Sequence, residues 1–216
     1  MSNKTFLIVL VLMSLAALSA SGLGMDKQAA SGEKCITTSQ EDLKLNMRML
    51  WEEHIIWTRM FIISVAENTS DKAVVTERLL KNYDDMADAL KPYYGNETGE
   101  EFGGLIEEHL MIAAALVEAA KAGNSTAATE AETKWYENAD EIAKFQSSIN
   151  PNWNETDQMD MWHNHLQLTK DEAVARLTKD YAADIEAFDL IEAQANMMAD
   201  SMAEGIIKQF PDKFEM

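Results

Sequence analysis

Three of the four histidines in this 216-residue chain stand in look-alike surroundings. Trp51-Glu52-Glu53-His54-Ile55 corresponds to Ile106-Glu107-Glu108-His109-Leu110, and both correspond to Trp162-His163-Asn164-His165-Leu166, at offsets of 55 and 56 residues. An amide side chain follows each histidine at almost constant distance: Asn82 is 28 residues after His54, Asn138 is 29 after His109, and Gln194 is 29 after His165. A neutral imidazole binds a transition metal through one ring nitrogen while its other nitrogen donates to a nearby carbonyl oxygen. Three such rings brought together would hold zinc, copper or iron, with Asn82, Asn138 and Gln194 orienting them. Glu172, seven residues after His165, adds an inward carboxylate to that metal set of His54, His109 and His165. The plainer alternative is a polar core layer in which each imidazole simply pairs with its amide. Such pairing is expected in any case, because an unpaired buried polar group costs about 1–3 kcal/mol.

Other chemistry is less well supported. Di-iron bundles use Glu-x-x-His pairs, whereas Glu52, Glu53, Glu107 and Glu108 stand one or two residues before a histidine. Those carboxylates read as a solvated face. Met47, Met49 and Met60, with Met197, Met198 and Met202, could offer thioethers to copper(I), but methionine at helical spacing is usually core filler. Cys35 is the sole cysteine, which excludes an intramolecular disulfide, a cysteine-based metal site and a Cys-x-x-Cys-His haem attachment. No Ser–His–Asp or Cys–His arrangement is legible, so no catalytic residue is assigned.

The elements that must position these groups are helices. Apolar residues and histidines share stripes of three- and four-residue spacing: Leu43, Met47, Leu50, His54, Trp57, Phe61, and again Phe102, Leu105, His109, Ile112, Leu116, Ala119. The histidine repeat divides the chain into units of about 40–95, 96–153 and 154–210, each a helix, a turn and a helix. The spacing predicts helices over 40–67, 71–91, 99–122, 125–148, 156–178 and 181–209. Asn68-Thr-Ser-Asp71 and Gly123-Asn-Ser-Thr126 supply turns and caps for the first two hairpins. Thr178-Lys-Asp180 has neither Gly nor Pro, leaving one continuous helix from about 157 to 209 as the alternative there. The expected fold is all-α, a six-helix bundle of three antiparallel hairpins, with Trp51, Trp57, Trp135, Trp153 and Trp162 anchoring hairpin against hairpin.

The segments WEEHIIWTRM, RLLKN, PYYG, EHLMIAA, KAG, KWYENADEIAKF, INPNW, HLQLTKDEA and QANMMADSMAEGIIKQFP carry a resemblance over nearly everything from Met47 to Phe214. They resemble a family of small all-helical proteins of archaea and Gram-positive bacteria whose members often bear the label acetylglutamate kinase, or sometimes glycosyltransferase. The resemblance implies the helical fold. The labels would imply an α/β sheet, with glycine-rich phosphate loops for the kinase. This chain shows neither a strand pattern nor such a loop, so acetylglutamate kinase activity is not expected of it.

The N-terminus and the charge bound the setting. Lys4 precedes an apolar run, Phe6 to Ala20, followed by small residues. The run falls short of the roughly 20 residues of a spanning helix and reads as a signal peptide over residues 1–20, cleaved near Ala20. The alternative is an uncleaved N-terminal anchor. Residues 21–39 read as a flexible leader and 40–216 as the helical domain. The net charge of −19 argues against nucleic acid and anionic membrane surfaces as partners. Asn68, Asn96, Asn124 and Asn154 begin Asn-x-Ser/Thr triplets in expected turns or helix ends, where glycosylation is permissible. The reading from sequence is a secreted or cell-surface acidic bundle, a non-enzymatic binding or structural protein with a protein or envelope partner. The alternative is a metal-binding protein or metal-dependent enzyme using the histidine layer.

Overall fold

The computed structural model describes residues 38–215; the expected signal peptide and nearly all of the leader lie outside them. Six helices follow one another: α1 (Thr38–Glu67), α2 (Lys72–Tyr94), α3 (Asn96–Lys121), α4 (Ser125–Ile149), α5 (Glu155–Thr178) and α6 (Tyr181–Gln209), with a 3₁₀ turn at Pro211–Lys213. Among the described residues there is no strand, and no helix is long and apolar enough to cross a membrane. Every helix packs on its successor, and α6 closes the ring against α1. Inside the ring, α1 reaches both α3 and α5, so the three histidine-bearing helices meet along the middle of the bundle.

The apolar stripes explain the arrangement. Leu43, Met47, Leu50 and Phe61 on α1 and Phe102, Ile106, Leu110 and Leu116 on α3 are all buried. Polar residues fall on the opposite faces, as an amphipathic helix requires. Tryptophan fills the largest gaps: Trp51, Trp153 and Trp162 are among the bulkiest fully buried side chains. Trp153 lies directly on Gly205 of α6, where a Cβ would fall 1.9 Å from the indole nitrogen.

Three boundaries differ from expectation by two or three residues and the rest by at most one. α1 begins at Thr38, two residues inside the expected leader. α2 continues through Pro92 to Tyr94 and α3 starts at Asn96, leaving Gly95 (φ 87°) as the whole connection. Proline in the last turn costs one backbone donor, but Tyr93 stacks on Phe214, and Tyr94 meets Trp153 at a tilt and Phe210 edge to face. That aromatic packing holds the extra turn. The doubtful third turn is real. Lys179 adopts the left-handed region (φ 65°), the Asp180 N–H donates to the Ala175 carbonyl, and the Asp180 carboxylate caps α6 by accepting from the Ala183 N–H. Asn124 caps α4 as expected. Asp71 does not cap α2; its carboxylate instead accepts from the Ser64 and Thr69 hydroxyls across the turn.

Candidate metal centre

One hydrogen-bonded unit occurs three times. In the first, His54 Nδ1 lies 2.8 Å from Asn82 Oδ1, and the Asn82 NH₂ donates at 3.0 Å to the carbonyl of Leu50, one turn before the histidine. In the second, His109 Nδ1 meets Asn138 Oδ1 at 3.0 Å, and Asn138 donates to Leu105 at 3.1 Å. In the third, His165 Nδ1 meets Gln194 Oε1 at 3.0 Å, and Gln194 donates to Met161 at 2.9 Å. The sequence distances of 28 and 29 residues thus place each amide level with its histidine on the adjacent helix, each residue rising about 1.5 Å.

The unit fixes the tautomer. A backbone carbonyl only accepts, so the amide NH₂ must face it, and the amide oxygen must face the ring. Each Nδ1 therefore carries the hydrogen and donates it, which leaves the lone pair on Nε2. His109 shows this a second way. The Trp135 indole, a donor only, approaches His109 Nε2 at 3.2 Å.

The three rings sit together. Their centroids are 5.6, 6.1 and 6.3 Å apart, and one ring nitrogen from each lies within 4.8 Å of the other two. None of the three residues is more than 2% exposed. Burial strips water from the charged form and lowers the His54 pKa to about 4, with the Asn82 bond partly opposing. Burial, then the neighbouring His54, lowers His165 to about 3. His109 falls well below its ordinary value through burial and then the charges of His54 and His165. All three rings are therefore neutral at pH 7 and carry their Nε2 lone pairs without first losing protons, that of His109 already accepting from Trp135.

Tryptophans wall the layer. Trp51 packs against His54 and His165, Trp162 against His109 and His165, and Trp135 against His109. The Trp162 indole donates to buried Gln146 at 2.9 Å. Trp135, which the sequence alone assigns only to packing, donates to the layer through His109. Its signal was readable, since it stands three residues before Asn138 and so shares that face of α4.

Glu172 does not join the histidines. It is buried and inward as expected, but Arg59 Nη1 donates to it at 2.6 Å and to Asp184 at 2.7 Å. Two helical turns separate Glu172 from His165, and Arg59 and Arg176 neutralise this separate cluster. Burial nonetheless raises Glu172 to about 7 against the lowering by Arg59. His163 stands outside the layer, part-exposed, 2.7 Å from Asp140. The chain matches no protein-family model, no curated protein and no solved structure.

Proposed function

We propose that this protein binds a transition metal at His54, His109 and His165. The observation that carries the reading is the convergence of three neutral imidazoles, each with its Nδ1–H held by an amide oxygen, within 4.8 Å at the bundle's centre. Metal-ligating histidines characteristically donate their other nitrogen in this way. A zinc or copper ion with metal–nitrogen bonds of about 2.0–2.1 Å needs ring nitrogens about 3.3 Å apart, so each ring would move inward by under about 1 Å. Three protein ligands leave a fourth position open. The donor set is neutral, and the buried carboxylates Glu172 and Asp184 are already committed to Arg59. Burying charge in a dry interior costs in proportion to its square. Copper(I) is therefore the preferred ion, and zinc or copper(II) would bind with an anion of their own.

The test is elemental analysis of protein purified without a polyhistidine tag, followed by titration with copper(I) under anaerobic conditions and with zinc. One ion per chain, lost in each of His54→Ala, His109→Ala and His165→Ala, supports the reading. Absence of stoichiometric binding to the folded wild type overturns it. One observation favours a second reading, in which the layer is a closed polar core. The Trp135 indole already occupies His109 Nε2, and a metal would have to displace it.

We read the wider role as that of an exported, acidic binding protein rather than a kinase. The N-terminal pattern and the four exposed sequon asparagines support that setting. Phosphorylation of acetylglutamate by the pure protein would refute it.

A further inference from the structure

One turn beyond the histidines the bundle contains a pocket of about 180 Å³. Its origin lies in the small residues of the inner helices. Four residues after each histidine stand Thr58, Ala113 and Thr169, and Ala173 on α5 takes the place that Ile62 and Val117 hold on α1 and α3. Phe61, Ile62, Leu110 and Trp135 close the inner end and are all buried. The lining then runs out between α4 and α5 to exposed Val174 and the Glu132–Lys170 ion pair, 2.7 Å long.

The pocket has almost nothing to offer water. The hydroxyls of Thr58 and Thr169 donate back to the carbonyls of His54 and His165, and Glu132 and Lys170 satisfy each other. A buried water requires two to four polar partners, whereas an apolar cavity of about 150 Å³ stays dry and takes benzene or xenon.

We infer that this pocket is a binding site for a small, uncharged, apolar molecule of roughly six to ten non-hydrogen atoms, on the scale of benzene or indole. The Glu132–Lys170 pair at the rim, already neutralised internally, gives no excess charge to attract an ion. The molecule would rest against Trp135, the same side chain that donates to His109. This inference rests on the pocket's volume and lining and stands whether or not the histidines hold metal.

The experiment uses metal-free full-length chain, titrated with benzene and with indole by calorimetry, and with xenon followed by ¹²⁹Xe shift. Saturable binding of one molecule per chain is expected. Ala113→Leu should weaken it at least tenfold by filling the pocket, and Ala173→Leu makes the same test from α5 should the first variant not fold. Benzene should also change the tryptophan emission of wild type, and Trp135→Phe should abolish most of that change. Absence of saturable binding to folded wild type overturns the proposal, as does undiminished affinity in a folded pocket-filling variant.

Discussion

Three buried neutral imidazoles should make this fold acid-sensitive, and His54 gives the size of the effect. In the unfolded chain its ring takes up a proton as pH falls through about 6.5, whereas burial holds the folded ring neutral down to about 4. A group depressed in this way loses stability for the fold as pH drops through that window, because the unfolded state binds the proton first. Between pH 8 and pH 5 the loss from His54 is about 2 kcal/mol, rising to about 3 kcal/mol below pH 4. Glu172 works in the opposite sense. Its folded pKa of about 7 lies above the usual 4.5, so folding gains from its protonation over the same interval. The many surface carboxylates add their own dependence. Subtraction removes both. Urea unfolding followed by circular dichroism, with chelator present, is measured at both pH values for wild type and for His54→Gln. The variant should lose about 2 kcal/mol less than wild type on acidification. Equal losses, within about 0.5 kcal/mol, would mean that the His54 ring is not held neutral, and the tautomer argument for the layer would fail with it.

Other perturbations probe the same architecture. His54→Leu or Asn82→Leu alone leaves a buried orphan and should cost about 1–3 kcal/mol, while the double substitution should be nearly neutral; strict additivity in the cycle would contradict the pairing. If the layer holds metal, stoichiometric copper(I) should raise the wild-type Tm and leave that of His109→Ala unmoved, as read by scanning calorimetry. Arg59→Met strands Glu172 in the core, leaving Asp184 to Arg176 alone, and should destabilise by about 3 kcal/mol at pH 8, less at pH 5 where Glu172 is protonated; denaturant melts at the two pH values check the sign. Gly205→Ala pushes a methyl into Trp153 and should cost about 1–3 kcal/mol with a changed near-ultraviolet dichroism signal, and an unchanged spectrum would show that Trp153 packs elsewhere.

By itself the sequence determined the helices and the height of the polar layer. Both depend on local periodicity: apolar stripes at 3.6-residue spacing mark a helix wherever it later packs. Nearly equal distances from His54 to Asn82, His109 to Asn138 and His165 to Gln194, 28, 29 and 29 residues, then set each pair level across adjacent helices. Even the turn at Lys179–Asp180 was within reach through the capping aspartate, although no glycine announced it. What the sequence did not contain was azimuth, meaning which way each helix turns about its axis inside the ring. That choice is made by the global packing of large side chains. It brought three ring nitrogens within 4.8 Å of one another and set Trp135 on His109. Glu172 shares the inward face of His165 but stands two turns, about 10 Å, further along α5, and packing set it against Arg59, a partner 113 residues earlier that no local pattern links to it. The passage of α2 through Pro92 was decided the same way. Local chemistry predicts a stop there, and the contacts of Tyr93 and Tyr94 with Phe210, Phe214 and Trp153 override it, because burial of several aromatic rings outweighs one lost backbone hydrogen bond.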